Sequence, residues 1–364
     1  LKHFTPEPRL GKRPSAGGSF RPGFFCLNLF WLSLLLFAAP QAVFAAEEKP
    51  NQNWHRLTEQ GRKLLYQGDL SGAAQEFDNA LKLADSFDQD DSRKAVSLSN
   101  LSLLYKAKGD YEKAEGFSRQ ALKLLNRRPS KDSYMFAVEL SNLAGILTEA
   151  GKYDEAITLY ESSIAILSKV KGGDSLEVAA VMDNLAVLHL KLKEWDYALK
   201  LSEKSVAIYE RKLGGDHTDL ALALGNMATA LSQKGQLEEA RQASERSLSI
   251  MKRNYGERHP AVASAMDNLA GIYIKEGRLA EAESLQLRAL DTFKELLGED
   301  HPDVAICLDN LSDLYTMQKR FKQALRRAED ALAIAKKCYG KEHALSQSIE
   351  SRIVSLKEKT SKAD

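Results

Sequence analysis

The stretch Gly256–Gly298, "GERHPAVASAMDNLAGIYIKEGRLAEAESLQLRALDTFKELLG", decides the fold. In its first half Val262, Met266, Leu269, Ala270 and Tyr273 recur at three- and four-residue steps. In its second half Leu279, Ala282, Leu285, Ala289, Leu290 and Phe293 do the same. Each set lays an apolar stripe along one face of a helix, so the stretch predicts two amphipathic helices joined through "KEGR". Gly277 sits in that turn, where a residue just past a helix end takes left-handed backbone that glycine adopts without steric cost.

Working outward, the pattern returns. Asn268 is one of a series, Asn100, Asn142, Asn184, Asn226, Asn268 and Asn310, spaced by 42 residues, and the turn glycine recurs at Gly68, Gly109, Gly151 and Gly235. Lys193 and Lys319 occupy the same turn position and predict altered or slightly strained turns. A fixed period of this length predicts stacked helical hairpins rather than one compact globule. Small residues follow the Asn-Leu pairs at Ser102, Ala144, Ala186, Ala228, Ala270 and Ser312, and face the second-helix series Ala73, Ala114, Ala156, Ala198, Ala240, Ala282 and Ala324. Small side chains on both sides let paired helices approach closely. A third small series, Ala80, Ala121, Ser163, Ser205, Ser247, Ala289 and Ala331, is expected to meet the following repeat.

A small residue in the first helix, an aromatic three residues on at Tyr105, Tyr273 and Tyr315, the turn glycine and two alanine positions in the second helix together resemble the tetratricopeptide repeat. With "GEDHPDVA" at Gly298–Ala305, the 42-residue period is similar to the kinesin-light-chain type and its bacterial relatives. The resemblance spans about residues 52–358 and implies an all-α, right-handed superhelical solenoid of antiparallel helix pairs. Counting turns gives seven hairpins over residues 52–340, a C-terminal capping helix over 341–358 with Leu345, Ile349, Ile353 and Leu356 on one side, and a tail over 359–364.

The front end differs in kind. Residues 1–23 carry five basic residues and one acid, "FFCLNLFWLSLLLFAAP" follows from Phe24, and Val43 with Ala45 form a small-residue cleavage site. Residues 1–45 therefore read as a signal peptide, with export to the periplasm or the extracellular space. The alternative is an uncleaved anchor, with membrane association only through residues 24–46 and the repeats outside the cytoplasm. Leu1 in place of Met leaves the true start open.

Formal net charge is +1 over 364 residues, and removing the leader leaves 46 basic against 49 acidic residues. This composition lacks the basic excess of a nucleic-acid binder. Cys26, Cys307 and Cys338 form no metal-binding spacing, and Cys307 with Cys338 read as inert thiols. His217, His259, His301 and His343 form a second 42-residue series, but successive hairpins stand too far apart to share a zinc ion, whose ligands lie at about 2 Å. Each precedes a helix start, marked by Pro260 and Pro302 in two cases, so each is expected to cap free amides. His189 reads as a packed core residue at the aromatic position. With no Ser/His/Asp, Cys/His or phosphate-loop spacing, the expectation is a non-enzymatic chain without cofactor or metal.

The leucine after each asparagine faces the hairpin core, so the asparagine is rotated about 100° from it, toward the concave wall. The same wall is expected to carry Ser99, Leu103 and Lys106, Gly145 and Thr148, Asp183 and Val187, Gly225 and Thr229, Asp267 and Gly271, and Asp309 and Asp313. An amide both donates and accepts, so such a column can hold an extended peptide whatever its sequence, as the resemblance also implies. Alternatively each asparagine bonds to the adjacent repeat and fixes the stacking. The leading expectation is a protein- or peptide-binding scaffold; the others are a self-associating envelope protein and, last, an enzyme with an unrecognised site.

Overall fold

A computed structural model describes residues 49–87, 92–127, 133–341 and 343–361. The leader, residues 1–45, lies outside them, as do residues 362–364 of the tail. Among the described residues the chain is helical throughout, in seven consecutive pairs and one further helix. The pairs are α1 (Lys49–Tyr66) with α2 (Leu70–Ala84), α3 (Ser92–Ala107) with α4 (Tyr111–Leu125), and α5 (Ser133–Glu149) with α6 (Tyr153–Lys171). They continue as α7 (Leu176–Lys191) with α8 (Trp195–Leu213), α9 (Thr218–Gln233) with α10 (Leu237–Tyr255), and α11 (Pro260–Lys275) with α12 (Leu279–Leu297). The last are α13 (Pro302–Met317) with α14 (Phe321–Tyr339), followed by α15 (Ala344–Ser361).

The stretch Gly256–Gly298 shows why each pair forms. His259 Nδ1 accepts the amide of Ala261 at 3.1 Å, and Pro260 opens α11 where its missing N–H costs nothing. At the far end the amide of Gly277 donates to the Ile274 carbonyl at 3.0 Å and that of Arg278 to Tyr273 at 2.8 Å, with Gly277 at φ +78°. These two bonds make a Schellman turn that satisfies the last carbonyls and reverses the chain. The same pair of bonds closes all seven hairpins, including those in which Lys193 and Lys319 stand at the turn with φ +60°. The histidine series caps helices as expected: His217, His301 and His343 each accept an amide two residues on, at 3.2 Å.

Each hairpin closes on its small residues, with Ala144, Ala186 and Ala270 on one helix and Ala156, Ala198, Ala240, Ala282 and Ala324 on the other wholly buried. Two serines of the third small series also bond within their own hairpin. Ser163 Oγ donates to the Ala137 carbonyl and Ser247 Oγ to that of Ala221, both at 2.6 Å and both to the first helix of the same pair. A serine fits there because its hydroxyl reaches a carbonyl across the close approach.

Second helices pack on the first helix of the next pair, and α1, α3, α5, α7, α9 and α11 also touch one another in succession. First helices thus crowd together on the inner side of the solenoid. No residue of α7 or α9 is fully exposed, whereas the second helices keep an open outer face. At the end, α15 buries Ile349, Ile353 and Leu356 in the cluster that runs from α7 to α14.

Candidate functional site

Six asparagines lie on successive first helices, and their environments differ. Asn100, Asn226 and Asn310 are buried, while Asn142, Asn184 and Asn268 are half-buried. Asn310 Nδ2 donates to Asp267 Oδ2 at 2.7 Å, and Asn142 Nδ2 reaches Ser99 Oγ at 3.4 Å and Glu139 Oε2 at 3.2 Å. In both, the asparagine bonds the residue just before the asparagine of the preceding repeat. Asn100 Oδ1 accepts from Arg62 Nε at 3.2 Å, again one hairpin back.

Between these ends the series loses its partners. Asn268 would need a partner at position 225, where Gly225 has no side chain, and its Oδ1 is buried without a hydrogen bond. Asn226 would need Asp183, but that carboxylate is taken by Ser205 Oγ at 2.6 Å and by the Tyr209 hydroxyl, leaving Asn226 Nδ2 unpartnered. Asn184 has no side-chain hydrogen bond among the described residues. The two readings of the series thus divide by rung: the outer asparagines each bond a neighbouring hairpin, although Asn100 Nδ2 is also buried without a partner, and the three central ones make no such bond.

The other residues assigned to the wall are less open than expected. Asp183, Val187, Asp267 and Asp309 are buried, and Leu103 is half-buried. The aspartates are drawn in because they accept bonds from adjacent helices. Asp267 takes Asn310 and also Gln286 Nε2 at 3.3 Å, while Asp309 Oδ1 faces Arg352 Nη1 of α15 at 2.5 Å. Arg352 stands 42 residues after Asn310 and so replaces the next asparagine; its Nη2 also reaches Asp313 at 2.8 Å.

Burial raises the Asp183 and Asp267 carboxyls to about 7 against the donors that oppose it. Glu139, which sequence reasoning missed, is likewise buried and raised to about 7, with Ser118, Ser99 and Asn142 as its donors. Its position in the repeat is held elsewhere by Ser97, Val181, Ala223, Ala265 and Cys307, and a charged residue in a column of small and apolar ones was the available signal. Arg352 could have been found by carrying the 42-residue count one step further.

The cations on the first helices are mostly committed. Lys191 Nζ grips both oxygens of Glu149 at 3.0 and 3.1 Å, and Lys275 Nζ meets the Ser232 carbonyl at 2.9 Å and Gln233 Oε1 at 3.1 Å. His189 is buried as expected, but it is also paired: its Nδ1 lies 2.6 Å from Glu194 Oε2, and its ring stacks on Tyr197. Cys307 is a buried free thiol and Cys338 an exposed one. Among the described residues no three His, Cys, Asp or Glu side chains are grouped to hold a metal ion, and no helix is long and apolar enough to cross a membrane.

A stack of Schellman-closed hairpins with first helices lining the inner side defines an α-solenoid of helix–turn–helix repeats. The tetratricopeptide repeat model matches residues 135–211, 182–253, 219–282 and 261–337, together more than half of the chain, and the chain belongs to that family. Residues 45–164 also match a model described as an uncharacterized protein conserved in bacteria. No curated protein matches the sequence. Among solved structures the fold is similar to BtubC (BKLC) from P. vanneervenii, at 21% identity and a TM-score of 0.51 over 69% of this chain and 94% of that one. It is also similar to a tetratricopeptide repeat protein from Parabacteroides merdae, at 17% identity and a TM-score of 0.53 over 84% and 99%. The apo form of the quorum sensor NprR from B. thuringiensis gives 16% identity and a TM-score of 0.52 over 85% and 89%.

Proposed function

We propose that this chain is a non-enzymatic scaffold that holds an extended segment of a partner protein along its inner wall, with Asn184, Asn226 and Asn268 gripping the segment's backbone. Its repeat family makes it an interaction scaffold in general terms. The observation that carries the finer reading is the unpaired state of the central rungs. A buried amide group left without a partner costs about 1–3 kcal/mol, and a ligand's peptide groups are a fitting source of the missing bonds. Asn184 and Asn268 are half-buried, so part of each side chain meets solvent and can meet a ligand.

The basic leader and apolar run add export to this reading, with the repeats working outside the cytoplasm. The test is affinity capture from the exported fraction with the wild-type chain, the triple variant Asn184→Ala, Asn226→Ala, Asn268→Ala, and the outer-rung variant Asn142→Ala. Each central rung should contribute about 0.5–1.5 kcal/mol to partner binding. Undiminished capture by a folded triple variant would refute the assignment.

A further inference from the structure

One position on the inner side opens a column that is closed elsewhere. The residue before each asparagine is Ser99, Ser141, Asp183, Asp267 or Asp309, all of them buried, but in the fifth hairpin it is Gly225, which is half-buried. Where a side chain stands there, it meets one of two partners: Asp183 takes Ser205 of its own hairpin at 2.6 Å, and Asp267 takes Asn310 of the next at 2.7 Å. At Gly225 both partners are in place and the side chain is missing. Ser247 stands where Ser205 does, and Asn268 where Asn310 does.

The gap is unfilled. A Cβ built on Gly225 would meet one side-chain atom of another helix, Ser247 Oγ, at 3.9 Å, which is ordinary van der Waals contact, whereas one built on Gly145 would press on Lys106 Nζ at 3.2 Å. What borders the gap is acceptor. Asn142 and Asn310 reach back one hairpin to this position, so the register brings the Asn268 amide to the same edge, and its Oδ1 is buried without a hydrogen bond. Ser247 Oγ spends its proton on the Ala221 carbonyl and keeps only lone pairs.

The charge of the surrounding wall has one sign. Helices α9, α11 and α13 carry Asp219, Asp267, Asp303, Asp309 and Asp313 against a single base, Lys275, which is held by the Ser232 carbonyl and Gln233. Arg352 of α15 answers Asp309 and Asp313 and leaves the others. A group suited to this place donates, carries positive charge and sits on a chain slender enough for a notch one side chain wide. A lysine meets all three conditions: its ammonium has three donors and no acceptor on an unbranched stem, whereas the guanidinium of arginine is a broad planar fork.

We propose that the notch at Gly225 is a specificity subsite that takes a lysine side chain of the bound segment, its ammonium donating to Asn268 Oδ1 beside Ser247. The inference rests on the inner-wall reading.

The test selects random twelve-residue peptides against the full chain and against Gly225→Ser, whose hydroxymethyl group fills the gap and meets Asn268 as Ser99 meets Asn142. Selection on the wild type should enrich Lys at one fixed position. Replacing that lysine by norleucine in the best peptide should weaken binding about tenfold to a hundredfold, the range of a hydrogen bond to a charged group. Gly225→Ser should lose the preference and bind the lysine and norleucine peptides alike, with thermal unfolding at or above that of the wild type. If serine disturbs the fold, Gly225→Ala, whose methyl group the 3.9 Å clearance admits, carries the same comparison. Peptides selected without a lysine preference, or a preference that the filled variant keeps, overturn the subsite and leave the inner-wall reading standing. A library that yields no binder to the wild type overturns both.

Discussion

Asn310 and Asn184 occupy the same place in the repeat, yet only Asn310 has a partner. Asn310→Ala removes one of the two amide donors that satisfy buried Asp267, so it should cost about 1–3 kcal/mol in denaturant unfolding. Asn184→Ala should stay within about 0.5 kcal/mol of wild type, since it removes no bond. Equal losses would mean that the series acts uniformly. The buried carboxyls make a second forecast. Glu139, Asp183 and Asp267 each have a folded pKa raised to about 7, so the folded chain holds their protons where the unfolded chain has lost them. Their contribution is complete below the ordinary carboxyl range near about 4 and is lost as pH rises through about 7. The Tm should therefore fall between roughly pH 5 and pH 8. The His259 cap acts oppositely, because burial lowers its pKa and an imidazolium Nδ1 cannot accept the Ala261 amide. Comparing wild type with Glu139→Gln at each pH cancels the caps, and the variant should show the flatter slope; an identical slope would remove Glu139 from the account.

At the scale of elements, the turns and the last helix are the places to probe. Lys193 and Lys319 adopt left-handed backbone that costs a side-chain-bearing residue about 1–2 kcal/mol, partly offset by glycine's greater freedom in the unfolded chain. Lys193→Gly and Lys319→Gly should each raise stability by about 0.5–1 kcal/mol, read from the denaturant midpoint; a loss would show that the lysine side chains hold the turns. Cutting after Gly340 removes α15, strips Asp309 of Arg352 and forfeits about 1.5–3 kcal/mol for each of Ile349, Ile353 and Leu356. The truncated chain should fray from that end and scatter light; unchanged unfolding and solubility would show that α15 is no cap. These elements were legible in the sequence because hairpin helices, turns and caps each depend on residues close together in the chain. The partners of the asparagines were not, since each depends on a residue 43 positions earlier that is Ser99, Asp267 or nothing at Gly225. Lys106 was placed on the wall from sequence, but its surroundings depend on how Lys191 and Glu149 pair on the next two hairpins.

At the scale of the whole molecule, each hairpin touches mainly its neighbours, so stability is a chain of nearest-neighbour terms even where the buried side chains run on continuously. Unfolding should spread over a broad denaturant range, with circular dichroism and the fluorescence of Trp54 and Trp195 giving different midpoints; coincident midpoints would mark a single cooperative unit. Side-chain bonds between repeats run along the array but differ in kind. Toward the amino-terminal end, Trp54 donates to Ser97, Arg93 to Asn51 and Arg62 to Asn100; toward the other end, Asn310 joins Asp267 and Arg352 joins Asp309. At the middle junctions the ties come from other positions, with Lys191 gripping Glu149 and Lys275 meeting the Ser232 carbonyl and Gln233. Under tension the array therefore behaves as a spring tied coil to coil along the described residues, and a segment lying along its inner side changes the spring constant of the whole.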